Sequence, residues 1–166
     1  MTTIKKFHWF WAWDDEKEEA WLREMSQQGW HLLSYQFPSN YTFEQGKPAD
    51  YVYRLDYFID RKDRENYLQL FRDAGWDHLG EMGGWQYFRN RTINGEAPEI
   101  YSDNESKKKK YQRILLFLVI FLPIYSNALF MTNRSSNIFI QIITFVMFVL
   151  MLIYIYAMLR LLRRIT

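Results

Sequence analysis

The spacing of hydrophobic and polar residues divides the chain into a patterned N-terminal part and a continuously apolar C-terminal third. Two runs without charged residues, 114–131 and 138–159, dominate that third. About 20 apolar residues at 1.5 Å per residue cross a hydrocarbon core of about 30 Å. The second run meets this length alone; the first does so with Tyr111 and Gln112 counted as interfacial. Nothing in the first hundred residues is large enough to cover both as soluble core helices. The pattern predicts a two-helix transmembrane hairpin with a short outer loop at 132–137.

The N-terminal part repeats itself at an offset of 46 residues: Asp14 matches Asp60, Trp21 Tyr67, Leu22 Leu68, Met25 Phe71, and Gly29-Trp30 matches Gly75-Trp76. Residues 7–13 and 51–59 carry the aromatic and aliphatic side chains of strands. Asp14 or Asp15, and Asp60, are placed to cap the following helices, with acidic residues at the positive dipole end. Ala20, Trp21 and Met25, like Tyr67, Leu68, Phe71 and Ala74, fall at helical spacing. Gly29 and Gly75 suit the left-handed residue that ends a helix. Pro38-Ser39-Asn40 and Gly83-Gly84 supply hairpin turns. The expected fold is α+β: a duplicated β-α-β-β unit forming one antiparallel sheet with two helices on one face, followed by the transmembrane hairpin. The boundaries read as a soluble domain at 1–90 (units at about 5–45 and 51–90), a turn-rich linker at 91–101, a stalk and first transmembrane helix at 102–131, a second at 138–160, and a basic tail at 161–166.

Alternation assigns the faces. Phe7, Trp9, Trp11 and Trp13, with Tyr53, Leu55, Tyr57 and Ile59, form the expected helix-covered core. The opposite side carries His8, Phe10 and Ala12, then Val52, Arg54, Asp56 and Phe58. If the two first strands are neighbours, Arg54, Asp56 and His8 line a polar patch framed by Phe10 and Phe58. Such a face suits a ligand or partner. The plainer alternative is an Arg54–Asp56 pair that finishes a wet sheet face.

Charge sharpens this division. Residues 1–100 hold 12 Lys and Arg against 17 Asp and Glu, whereas residues 101–166 hold 9 against 2. An acidic head on a basic, apolar tail argues against a nucleic-acid partner and for contact with anionic lipid. Lys107, Lys108, Lys109, Lys110 and Arg113 precede the first span; Arg160, Arg163 and Arg164 follow the second; the loop holds only Arg134. The positive-inside tendency then places both termini in the cytoplasm of a multi-pass membrane protein. Pro123 is expected to kink the first span. Asn127 and Gln141, each a short way below the outer end, are candidates for a hydrogen bond across the hairpin. Ser102–Glu105 has the form of a capping box, so the first helix is expected to begin before the lysines and serve as a stalk.

No catalytic constellation, cofactor site or metal site is legible. His8, His31 and His78 lack ligand spacing, and the carboxylate run from Asp14 to Glu19 reads as a solvated helix start. No phosphate loop, nucleophile elbow or dinucleotide fingerprint occurs. The absence of cysteine removes disulfides and thiolate chemistry. Three groups of residues together resemble the domain-of-unknown-function family 2812, small membrane proteins of Gram-positive bacteria. They are Ala12-Trp13-Asp14 with Glu18, Trp21, Leu22, Met25 and Gly29-Trp30; Tyr53-Arg54-Leu55-Asp56-Tyr57; and Gly75-Trp76 with Gly84-Trp85-Gln86-Tyr87-Phe88. The resemblance implies C-terminal transmembrane helices and genes often beside PadR-type regulators; it carries no catalytic residue. The expected function is a non-enzymatic, membrane-anchored sensory or regulatory module that binds a small amphipathic ligand or a partner regulator. The alternative is an assembly subunit packing against another membrane protein such as a transporter.

Overall fold

A computed structural model describes residues 2–92, 98–100, 104–132 and 137–165. The chain forms two compact units, Met1–Asp103 and Asn104–Thr166. The expected capping box at Ser102 and the loop position Arg134 lie outside the described residues.

The first unit follows the order β1 (Thr3–Phe7), α1 (Asp15–Gln27), β2 (Trp30–Gln36), β3 (Asn40–Gln45), β4 (Tyr51–Tyr57), α2 (Arg64–Asp73), β5 (Asp77–Met82), β6 (Trp85–Arg91). The α+β class and the twofold β-α-β-β order match the reading of the sequence. The first strand does not. It ends at Phe7, because its antiparallel partner β3 begins at Asn40, opposite Phe7. One further bond, His8 N–H to the Ser39 carbonyl at 3.1 Å, closes the ladder. Beyond it the chain leaves the sheet, and its tryptophans stack on one another: Trp9 edge-on to Trp11 at 5.6 Å, Trp11 parallel to Trp13 at 5.1 Å. Phe7, Trp9, Trp11 and Trp13 therefore do not share a core face. Phe7 is 63% exposed, Trp9 49% and Trp11 43%, while Trp13 is buried.

The strands divide into two three-stranded antiparallel sheets, ordered β1-β3-β2 and β4-β6-β5. Strands β2 and β5 approach each other, yet among the described residues no ladder joins them. Each carries a register shift, at Leu33 and at Leu79, 46 residues apart. A bulge interrupts the row of donors and acceptors that a continuous sheet needs. The helices do not share one face either. Leu22 and Met25 of α1 pack with Leu32, Tyr41, Phe43, Tyr53, Leu55 and Tyr87. Leu68 and Phe71 of α2 pack with Val52, Trp76 and Phe88. Val52 against Tyr53 and Leu55, and Phe88 against Tyr87, lie on opposite faces by strand alternation. The second sheet is thus covered by α2 on one side and α1 on the other. That is why β4 (YVYRLDY) is buried on both faces, with Val52 and Asp56 on one and Tyr53, Leu55 and Tyr57 on the other.

Local chemistry sets the ends of the elements. Asp14 and Asp63 occupy the N-cap positions, Asp63 rather than the expected Asp60; neither side chain makes a cap hydrogen bond. Asp14 instead pairs with Lys17 at 2.7 Å, and Asp60 accepts the Lys62 N–H at 2.9 Å. Gly29 (φ +85°) and Gly75 (φ +80°) end the helices in the left-handed region, as their place after each helix predicts.

The second unit consists of α3 (Asn104–Thr132) and α4 (Ile138–Ile165). Both are long and apolar enough to cross a membrane, and almost nothing of either apolar window is buried within the chain. Helix α4 runs through the expected basic tail, so Arg163 and Arg164 lie in its last turn. Helix α3 continues through Pro123. Two tyrosines hold the pair together reciprocally. Tyr125 donates to the Met147 carbonyl at 2.5 Å, Tyr154 donates to the Leu118 carbonyl, and the two rings lie nearly parallel. In each helix the tyrosine and the accepting carbonyl are about two turns apart. At the far end Arg164 donates to Tyr111 Oη at 2.7 Å.

A Cβ on Gly29 would lie 2.8 Å from the Gly46 carbonyl oxygen, whereas one on Gly83 (φ +59°) would meet nothing within 4 Å. Gly83→Ala should cost only the left-handed penalty of about 1–2 kcal/mol. Gly29→Ala adds a backbone clash and should cost roughly 2–4 kcal/mol. Denaturation of the detergent-solubilised protein followed by tryptophan fluorescence measures both; equal losses would contradict the packing assigned to Gly29.

Candidate functional site

Helix α1 buries a stripe at helical spacing: Asp15, Glu18, Glu19, Leu22, Met25 and Ser26. Four of these six are polar, so the carboxylate run is not the solvated helix start that the sequence suggested. Glu18, Glu19 and Ser26 each have work within the fold. Glu18 Oε1 accepts the hydroxyls of Tyr41 from β3 and Tyr87 from β6, both at 2.8 Å. Glu19 Oε1 accepts the Leu55 N–H at 2.8 Å, and its Oε2 faces Arg54 at 3.4 Å. Ser26 Oγ donates to the Arg23 carbonyl at 2.8 Å and lies 3.0 Å from that of Ala49. Arg23 grips Asp50 with two bonds of 2.7 Å, holding that carboxyl down to about 2.

Burial pushes the Glu18 carboxyl up to about 7, against the two tyrosine hydroxyls that favour its ionised form; Asp15 adds like-charge repulsion. Burial likewise raises the Tyr41 and Tyr87 hydroxyls, and the charge of Glu18 raises them further. These hydroxyls therefore stay protonated and remain donors.

Above this cluster lies a recess of about 190 Å³. Trp9, Trp11, Tyr35, Trp85 and Tyr87 line it, with Glu18 and Asp15 and with Phe37 and Pro38 of the β2–β3 turn. Tyr35 packs on Tyr41 and Tyr87, with ring centroids at 4.6 and 5.1 Å. Sequence reasoning missed this site because it treated acidic residues as solvated. The signal was present: positions 15, 18, 19, 22, 25 and 26 keep a helical period that includes the acids.

The expected His8, Phe10, Arg54, Asp56 and Phe58 patch is not assembled, since β1 and β4 belong to different sheets. Phe10 lines the recess, and His8 stacks on it at 4.3 Å. Arg54 makes a bidentate pair with Glu99 (2.6 and 3.1 Å). Asp56 is buried and accepts the Tyr67 hydroxyl at 2.9 Å and the Tyr57 N–H at 2.7 Å. Phe58 stacks on Tyr67 at 3.9 Å. In the second unit Gln141 and Ser126 line a groove of about 650 Å³ with Phe130, Thr144, Phe145 and Phe148; Asn127 is exposed outside that lining. His31 Nε2 meets the Lys47 carbonyl at 3.0 Å, and His78 Nε2 meets Gln86 Oε1 at 2.9 Å. Among the described residues no three His, Cys, Asp or Glu side chains stand together as metal ligands.

Fold and site define an α+β unit with an aromatic recess that Asp15 and Glu18 help to line, followed by two helices of membrane-spanning length. The model of the family described as "Protein of unknown function (DUF2812)" matches residues 14–122. The chain belongs to that family. The match extends into α3 and leaves out β1 and the tryptophan segment. No curated protein and no solved structure matches the chain.

A raised carboxyl pKa contributes stability that is complete below about 4.5 and lost as pH rises through about 7. For Glu18 the span is roughly 3 kcal/mol at most. His78, depressed by burial, acts oppositely just below its ordinary value of 6.5. Comparison with Glu18→Gln isolates the carboxyl, because the amide still accepts the tyrosine hydroxyls. Denaturation at pH 5 and pH 8 should show the wild-type losing roughly 2–3 kcal/mol more than the variant across this interval. Parallel profiles would contradict the buried acid.

Proposed function

We infer that this protein is a membrane-anchored, non-enzymatic binding module whose first unit takes a small amphipathic ligand in the recess over Glu18. The observation that carries the reading is the combination of exposed Trp9 and Trp11 with a buried carboxylate in one concave site. Aromatic walls with a few fixed polar groups are the usual make-up of a ligand site. At about 190 Å³ the recess is smaller than the roughly 300–1,000 Å³ of drug-sized pockets. It suits a head group or a small molecule. The reading moves the ligand away from Arg54 and Asp56, whose side chains are occupied in ion pairing and in the core.

The anchor is the α3–α4 hairpin, with both termini in the cytoplasm by the positive-inside tendency of its basic flanks. The chain lacks cysteine, so single reporters are simple to introduce. An impermeant maleimide on intact cells should label Asn137→Cys and leave Lys47→Cys unlabelled until lysis; the reverse pattern would invert the topology.

Ligand binding is tested by tryptophan fluorescence and thermal shift of the solubilised full chain against a panel of small amphiphiles. At least one chemical class should bind saturably, and Trp85→Ala should weaken it about tenfold or more, the scale of a lost aromatic contact. The second reading, an assembly subunit, is favoured by the groove that holds Ser126, Gln141 and Thr144 among phenylalanines. If no class binds while pull-downs lose a membrane partner on deletion of 104–166, assembly replaces ligand binding.

A further inference from the structure

The charge and shape of the recess narrow the chemistry of its ligand, given the reading above that the first unit is a binding module. Two carboxylates, Asp15 and Glu18, line it, and its lining among the described residues includes no lysine, arginine or histidine. An anionic ligand would meet like charge in a partly desolvated site. A neutral apolar ligand would cover Glu18 without offering it a partner, and so gains nothing from the acid. A cation meets both demands: it neutralises the acid, and its charge is attracted to the faces of tryptophan and tyrosine rings.

The hydrogen bonding of Glu18 fits this role. Both tyrosine hydroxyls converge on Oε1, so the side chain is oriented from one side, and Oε2 carries neither bond. The tyrosines fix the carboxylate in place without neutralising it. Burial favours the protonated form of this carboxyl. An entering cation displaces that proton to solvent, so the buried charge is present only with its partner.

Size and rim define the rest of the ligand. The recess holds about 190 Å³, room for roughly six waters at about 30 Å³ each. An alkylated ammonium head fits this volume; a long chain does not. Trp9, Trp11 and the 79% exposed Phe37 line the recess and also present apolar surface to solvent. We propose that the recess binds the ammonium head of an alkylammonium amphiphile, with Glu18 as counter-ion, tryptophan rings as walls, and the alkyl chain lying over Trp9, Trp11 and Phe37.

Three water-soluble probes of equal chain length test this on the solubilised full chain: hexyltrimethylammonium, hexylphosphocholine and the neutral hexyl glucoside. Tryptophan fluorescence reports saturation. Hexyltrimethylammonium is expected to bind at least tenfold tighter than the glucoside. Glu18→Gln should remove that preference by weakening the cation. Trp11→Leu, at the exposed rim, should weaken the cation severalfold without disturbing the fold. Phosphocholine binding as tightly as the simple cation supports the proposal with a lipid head group as source; weaker binding supports a free cation. The glucoside matching the cation, or Glu18→Gln binding the cation as well as wild-type, overturns the proposal and leaves the ligand-binding reading standing. Saturable binding by none of the three overturns the proposal, and the panel above then decides the broader reading.

Discussion

One carboxylate oxygen ties the first unit together. Glu18 Oε1 receives Tyr41 from the β1-β3-β2 sheet and Tyr87 from the β4-β6-β5 sheet. Among the described residues no strand ladder joins these sheets; α1 bridges them, together with the Tyr35–Tyr87 ring contact and the approach of β2 to β5. Leu22 and Met25 supply apolar contact to both. Glu19 takes the Leu55 N–H on the β4 edge, and Ser26 and Arg23 hold the segment leading into β4. A hydrogen bond to a charged group contributes about 1.5–3 kcal/mol, and an unsatisfied buried one costs a similar amount. The helix thus acts as a polar wedge. A purely apolar α1 would pack the same sheets but would not fix their relative position through directional bonds.

That wedge determines where the open site falls. The β1 ladder ends once β3 has no further residue to offer, so the chain from Trp9 to Ala12 crosses the N-terminal end of α1 without sheet partners. Its tryptophans stack on each other and on the edge of the core instead of filling it. Burial of the acidic stripe and exposure of the tryptophans are two consequences of one arrangement. Glu18, which bridges the sheets, lines one recess with the rings that the short first strand leaves outside. Large exposed aromatics in contiguous array are uncommon on a soluble surface unless something else covers them.

The sequence made the hairpin, the helix-ending glycines and the twofold element order legible, because each rests on run length or on a local backbone demand. Gly29 and Gly75 need positive φ whatever surrounds them. The division of the sheet was not legible, since it depends on bulges at Leu33 and Leu79 within otherwise ordinary strands. The extent of β1 was hidden for a related reason: residues 7–13 alternate well, but a strand is as long as its partner allows. Strand β4 misled in the opposite sense. Its Tyr53, Leu55 and Tyr57 announced one buried face, and only the second helix shows that Val52 and Asp56 are buried as well. The site was missed at Asp15, Glu18 and Glu19, where residue type outweighed periodicity.

The neighbour of Glu18 extends the consequences beyond the recess. Glu19 faces Arg54 at 3.4 Å, and Arg54 in turn holds Glu99 with two bonds, at 2.6 and 3.1 Å. Glu99 lies after the last strand and before the start of α3 at Asn104. The recess and the chain leading to the membrane-length helices are thus linked by α1 backbone and one guanidinium. Such a chain of contacts becomes a coupling only where it contains an element with two states. What the contacts do establish is positional: Arg54 stands between two carboxylates, Glu19 and Glu99, and the other Glu19 oxygen takes the Leu55 N–H. Helix α1, strand β4 and the segment after β6 are thus fixed to one another at a single point, and the same helix lines the recess through Asp15 and Glu18.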